Sequence, residues 1–359
     1  MNDEQSLANG AVGIALLHLE TGDMPAAFAA LRRATANGLS TGPGASLFYG
    51  APALAFVLAG TDHPGLARPR AITADATATI TRQRLDAAHR RIGQRQRPHY
   101  AEYDLIRGLT GLGVVLRRLG NHDVLRGVLD YLVRLTEPIS NLPGWWCRNE
   151  PERTQPPGGG HANHGMAHGI TGPLALLALT YRDGIIVDGH AAAITRICQW
   201  LDAWQQESSG SIWWPQTLSR TEIERGAPIQ KRPSRPSWCY GAPGIARAQQ
   251  LAATALSDER RRRVAESALL CCTKDVDQLA SSGLCHGAAG LFQAAWRVVL
   301  DAESPELAAQ LPHLEAHMSA FPPPGEVGIL DGNTGQALVT QTAARGLPIT
   351  GWDASLLLS

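Results

Sequence analysis

Apolar and polar positions alternate along this chain on the scale of whole helices. Runs that are apolar on nearly every side, such as Ile14-Ala15-Leu16-Leu17, Leu112-Gly113-Val114-Val115-Leu116 and Pro173-Leu174-Ala175-Leu176-Leu177-Ala178-Leu179, read as buried helices. Between them lie charged segments with one apolar stripe, notably Pro25–Thr35, His122–Leu135 and Ser257–Leu279, which read as outer helices. Strand signals are scarce. Each buried run follows a small turn, Gly-x-x-Gly, found at Gly10-Ala11-Val12-Gly13, Gly108-Leu109-Thr110-Gly111, Gly169-Ile170-Thr171-Gly172, Gly241-Ala242-Pro243-Gly244, Gly287-Ala288-Ala289-Gly290 and Gly332-Asn333-Thr334-Gly335. A seventh copy, Gly50-Ala51-Pro52-Ala53, has alanine in place of the second glycine. The first glycines stand 40, 58, 61, 72, 46 and 45 residues apart, a repeat architecture. The pattern predicts an all-α fold, an α/α toroid of about seven inner and seven outer helices, built as a single domain over residues 1–359.

Length agrees with a ring. At 359 residues the chain exceeds what one simple core serves, and a repeat grows around an axis instead. The two longest intervals contain the insertions, Pro138–His164 with Trp145-Trp146 and Pro156-Pro157-Gly158-Gly159-Gly160, and Ser208–Pro236 with Trp213-Trp214. Both read as loops over one end of the barrel, where function tends to sit. The segment Thr61–Arg97 is helical and charged in composition. Thirty-two basic residues balance 32 acidic ones, which argues against a nucleic-acid footprint. The runs Arg260–Arg263 and Lys231-Arg232 read as solvated faces. Six cysteines are too few for a disulfide scaffold. The acidic, polar start is unlike a signal peptide, and no stretch of about 18 uncharged apolar residues appears. The expected compartment is the reducing cytoplasm.

Chemistry concentrates just before the glycines. Cys239 and Tyr240 precede Gly241, Cys285 and His286 precede Gly287, His168 precedes Gly169, and Asp104 stands four residues before Gly108. A ring would bring all of these to one mouth. Two thiols and an imidazole make a good zinc triad, and three protein ligands leave a fourth position open, as a catalytic site needs. The local Cys-x2-Cys and His-x3-His spacings of structural zinc sites are absent. His161 and His164 read as loop histidines. Cys147, Cys198, Cys271 and Cys272 read as packing residues, and the four loop tryptophans fit either a peptide groove or burial.

These residues resemble the lanthionine synthetase C family, the cyclases of lanthipeptide biosynthesis. The resemblance rests on Arg235-Pro236-Ser237-Trp238-Cys239-Tyr240-Gly241-Ala242-Pro243-Gly244, Cys285-His286-Gly287, Asn163-His164-Gly165-Met166-Ala167-His168-Gly169 and Tyr103-Asp104-Leu105-Ile106-Arg107-Gly108, and it spans essentially the whole chain. It implies that Cys239, Cys285 and His286 hold one Zn2+, and that His168, Asp104, Arg235 and Tyr240 are the other active-site positions. The reaction it implies is intramolecular Michael addition of a precursor-peptide cysteine to dehydroalanine or dehydrobutyrine, giving thioether rings. The implied partners are the dehydrated precursor peptide, leader plus core, with a dehydratase and an exporter. The same resemblance also admits addition of glutathione or another small thiol. A toroidal carbohydrate hydrolase would need two carboxylates across the mouth, where only Asp104 and Asp331 stand at turns. A peptide-binding scaffold with a structural zinc would leave His168 and Arg235 unexplained. For the bland alternatives, Asp104 could cap the following helix, Arg235 could serve an ion pair, and His168 and Tyr240 could be satisfied structural side chains.

Overall fold

The structure is a computed structural model and describes residues 3–148, 159–208, 210–302 and 304–359. The Pro156-Pro157-Gly158 part of the first insertion lies outside the described residues.

The helices follow the predicted alternation. α1 (Ala11–Thr21) is inner and α2 (Met24–Thr35) outer. α3 (Ala51–Leu58) is inner, and the charged stretch after it becomes one long outer helix, α4 (Ala67–Gly93). A short α5 (Tyr100–Tyr103) precedes inner α6 (Leu109–Leu119) and outer α7 (His122–Leu135). Inner α8 (Thr171–Arg182) and outer α9 (His190–Trp204) follow, then a short α10 (Arg220–Arg225). Inner α11 (Ala242–Leu256), outer α12 (Glu259–Cys272) and inner α13 (Ala288–Ala302) come next. The series ends with a short α14 (Pro305–Ala308), outer α15 (Leu311–Ala320) and inner α16 (Asn333–Arg345). Each inner helix touches the next, and α16 returns to α1, closing a ring of seven.

Three of the inner-to-outer corners share one local recipe. Gly22, Gly120 and Ser257 end inner helices in the left-handed conformation, and the next residue, Asp23, Asn121 or Asp258, caps the outer helix. Each cap accepts a backbone N–H three residues on, at 3.1, 3.3 and 3.0 Å. The inner helices are buried almost all round. α3 is buried at all eight positions and α8 from Thr171 to Thr180.

The outer layer departs from the expected seven. Six outer helices surround the ring among the described residues, and after α16 the chain turns inward instead. Residues 347–359 enter the barrel from the end opposite the Gly-x-x-Gly turns. Glu20, fully buried at the end of α1, accepts the amides of Ile349 and Thr350 at 2.8 Å each. Arg118 of α6 donates to the carbonyl of Gly351 at 2.7 Å. Asp353, fully buried, receives Gln293 at 2.7 Å and Nε and Nη2 of the Arg297 guanidinium at 2.5 and 2.8 Å. Arg247, only 1% exposed, donates to the carbonyl of Leu358 at 3.0 and 2.6 Å and pairs with Asp301. The charged groups that meet the tail are thus hydrogen-bonded, as burial of charge requires.

The insertions carry more order than loops. His161–Asn163 (β1) pairs antiparallel with Thr217–Ser219 (β4), so the two insertions are zipped together. Gln206–Ser208 (β2) pairs with Ser211–Trp213 (β3). Strands of three residues are too short for any periodicity to reveal. Trp145, Trp146, Trp213 and Trp214 are all buried, which settles them as packing under the insertions.

Candidate functional site

The seven turns share a three-residue register. The residue six before each second small residue is always apolar and fully buried: Leu7, Leu47, Leu105, Met166, Trp238, Leu284 and Ile329. The next position holds Ala8, Phe48, Ile106, Ala167, Cys239, Cys285 and Leu330. The third, at the lip, holds Asn9, Tyr49, Arg107, His168, Tyr240, His286 and Asp331. Sterics enforce this register. A Cβ on Gly244 would lie 2.2 Å from the Trp238 carbonyl oxygen, and one on Gly290 would lie 2.0 Å from that of Leu284. Only glycine permits such an approach.

Main-chain hydrogen bonds run from turn to turn. Leu105 N–H donates to Ala167, Ala167 to Cys239, Cys239 to Cys285 and Cys285 to Leu330, at 2.8–3.3 Å. Ile329 then donates to Ala8 and Leu7 to Phe48, at 2.7 and 3.0 Å. Both cysteines therefore sit mid-belt with amide and carbonyl engaged, and their side chains are aimed by the backbone.

At turns five and six the ligand atoms of Cys239, Cys285 and His286 all lie within 4.8 Å of one another, the sole such group among the described residues. Two thiols and an imidazole, with no fourth such side chain in the group among the described residues, suit an open zinc site. The Cys239 thiol is drawn well below the ordinary thiol range because Cys285 hydrogen-bonds to it, and its counterpart Cys285 is pushed up for the same reason. The pair holds a thiolate readily. The sulfur of Cys239 in turn raises the pKa of His286. Asp331 from turn seven stands 3.3 Å from Nδ1 of His286, where a carboxylate orients a ligating imidazole.

Turns three and four supply the neighbouring dyad. Nδ1 of His168 lies 2.6 Å from Oδ2 of Asp104, which is fully buried, while His168 remains partly open to the mouth. The other oxygen, Oδ1, accepts the amides of Arg107 and Gly108 at 2.7 Å each. Asp104 thus both ties its turn and orients His168. Because the carboxylate accepts the Nδ1 proton, Nε2 is the basic nitrogen left for chemistry. Tyr240 stands 6.2 Å from His168 between ring centroids, and burial raises its hydroxyl to about 12. Arg235 is exposed and close enough for its charge to be felt at Cys285, His286 and Asp331. It has no ion-pair partner among the described residues, so the structural-pair alternative finds no support.

The structure thus brings all seven expected side chains to adjoining turns, and adds others. Asn163 accepts the amide of Gly165 at 2.9 Å and donates to the Tyr240 hydroxyl at 3.3 Å. Tyr100 packs edge-on against His168 with ring centroids 5.3 Å apart. Asn163 had a signal, its place in the motif before His168. Tyr100 had none. His164 stands apart from the chemistry: Nδ1 donates to the Pro215 carbonyl at 2.7 Å, and Nε2 accepts the Trp200 indole at 2.8 Å. Full burial pulls its pKa down to about 4, so it is a neutral pin between the insertions and α9. His161, expected in a loop, is buried on β1 with its Nδ1 3.3 Å from the Cys147 sulfur. Cys198 and Cys272 are buried thiols pushed up by desolvation, which fits packing.

Comparison with known proteins agrees with this layout. The family model for lanthionine synthetase C-like protein matches residues 2–320. The nisin biosynthesis protein NisC of Lactococcus lactis subsp. lactis is 23% identical over 269 residues, which cover 72% of this chain and 64% of that protein. The solved structure of nisin cyclase superposes with a TM-score of 0.85 at 21% identity, covering 100% of this chain and 93% of that one. At that identity the superposition establishes the fold, the α/α toroid. The matched length establishes the family, and the chain belongs to the lanthionine synthetase C-like proteins.

Proposed function

We propose that this protein is a zinc-dependent lanthipeptide cyclase, joining cysteine thiols of a dehydrated precursor peptide to dehydroalanine or dehydrobutyrine. The observation that carries the reading is the Cys239, Cys285 and His286 cluster on turns adjoining the Asp104–His168 dyad. The name of the nisin relative and the family match point the same way.

Zinc held by these three side chains would supply ionisation of a thiol, which near its ordinary pKa of about 8.5 is mostly protonated at neutral pH. The protein's own groups handle the rest. His168 Nε2 receives the thiol proton, with Nδ1 fixed on Asp104. The sulfur–carbon bond forms at the β-carbon, and the alkene electron pair moves to the adjacent carbonyl oxygen as an enolate. Arg235 supplies a permanent cation for that oxygen, and Tyr240, protonated at neutral pH, supplies a hydrogen bond. Return of the proton from His168 to the α-carbon restores the carbonyl. The sum is an isomerisation that needs no oxidant or reductant. The partner is the dehydrated precursor, leader and core, so a dehydratase must act before this protein, and an exporter would follow it.

Two variants test the assignment together on a dehydrated precursor, read by mass spectrometry and metal analysis. Cys285→Ala loses stoichiometric zinc and ring formation. His168→Ala keeps zinc and loses about 10²–10⁴-fold in rate. Full zinc in Cys285→Ala removes the ligand assignment, and full activity in His168→Ala removes the proton-transfer role. Addition of glutathione in place of ring closure by the wild-type protein would replace the peptide-cyclase reading.

A further inference from the structure

Six of the seven junctions between turns are closed by a main-chain hydrogen bond, and among the described residues the junction between turns two and three has none. Turn two is also the exception in backbone. Gly50 lies at φ 73°, ψ −146°, whereas Gly108, Gly241 and Gly332 are extended at the same place. Its approach, Gly42-Pro43-Gly44-Ala45, contains two glycines beside open space and is closed within itself by one bond, from the Ala45 N–H to the Gly42 carbonyl at 3.0 Å.

One side chain from the outer layer spans this gap. Arg84 of α4 donates through Nη2 to the carbonyls of Pro43 and Ala45, at 2.5 and 2.8 Å, on the turn-two side. Through Nη1 it donates to the carbonyl of Arg107 on the turn-three side. Arg107 is also the residue whose amide is held by Asp104. A guanidinium holds its donors on separate nitrogens in one plane, so one group can fix two segments at a set separation, whereas an ammonium carries all its donors on one rotatable atom. Burial lowers the pKa of Arg84, and the nearby Asp104 carboxylate acts against that.

We propose that Arg84 is the clasp that closes the mouth ring at its open junction, and that it positions Asp104 and, through Asp104, the His168 imidazole. Arg84 is a positioning residue: it touches main chain, and its effect on chemistry passes through turn three. The link to rate rests on the cyclase reading above, but the clasp itself does not.

The test is amide hydrogen exchange on the full-length zinc-loaded protein, comparing wild type with Arg84→Met, which keeps the aliphatic stem, and Arg84→Lys, which keeps the charge and guards against a folding failure of the first. Exchange in residues 40–50 and 104–110 should rise about ten- to hundredfold in Arg84→Met, the scale of losing hydrogen bonds to a charged donor. Arg84→Lys should restore protection on one side of the junction only. The belt amides of Cys239 and Cys285 should keep wild-type exchange, and zinc should stay stoichiometric. In ring formation, kcat should fall with KM little changed. Wild-type exchange at both segments in both variants overturns the clasp, and so does a uniform rise around the whole belt, which marks a general stabiliser. Lack of cyclisation by the wild-type protein would instead overturn the cyclase reading and leave the exchange result standing.

Discussion

The two ends of this barrel are built on opposite terms. At the mouth, the main chain closes six of the seven junctions, so the lip side chains are not needed to hold the ring: His168, Tyr240, His286 and Asp331 pair with other groups of the site and stay partly or fully open. At the other end the side chains Glu20, Arg118, Arg247, Arg297 and Asp353 are consumed in holding the tail, several of them through its main chain. One end is therefore free for chemistry and the other is committed to stability. The Trp238 indole crosses between them, donating to the Leu356 carbonyl at 3.0 Å from the residue beside Cys239.

The sharpest way to break this contrast is at the committed end. Asp353→Ala leaves the mostly buried Arg297 guanidinium without its bidentate partner, which should cost about 3–5 kcal/mol in urea unfolding. Zinc per folded chain should not change, and a variant of wild-type stability would show that the tail is not a structural keystone. A second test uses pH on the insertions over the mouth. His164 stays neutral in the folded protein down to about pH 4, while the unfolded chain takes up that proton near the ordinary 6.5. The unfolded state therefore binds more protons in that window, and stability should fall by about 3 kcal/mol as pH drops from 6.5 to 4. In His164→Gln that part of the slope should disappear when denaturation is compared at the two pH values; an unchanged slope would assign it elsewhere. The smallest effect belongs at the lip. Asp331→Asn should weaken zinc binding about 10–100-fold in chelator competition, with folding stability of the zinc-free protein unchanged. Wild-type affinity would leave Asp331 as a bystander to His286.

Sequence reasoning reached the mouth better than the far end, for a physical reason. A glycine whose Cβ would collide with a carbonyl is demanded by geometry, so six of the seven turns announced themselves, and Cys and His at equivalent places marked the Cys239, Cys285 and His286 cluster. His122–Leu135 came out with the observed bounds because its cap and its stripe are both local signals. The tail could not be read, because its partners are carbonyls and amides of unremarkable residues such as Gly351 and Leu358. The inward turn after α16 was missed for the same reason. His164 needed Pro215 and Trp200, residues 51 and 36 positions away, before its role was visible.

The belt has one more consequence. Six of its seven junctions use no side-chain atoms and the seventh uses Arg84 of the outer layer, so the identity of a lip residue is uncoupled from the closure of the ring. Asn9 and Tyr49 occupy the same address as His168 and His286 on turns that carry no assigned chemistry. The scaffold is, in effect, a seven-socket holder in which a tool can be changed without remaking the handle, and unused sockets are where a lineage or an engineer can fit new ones.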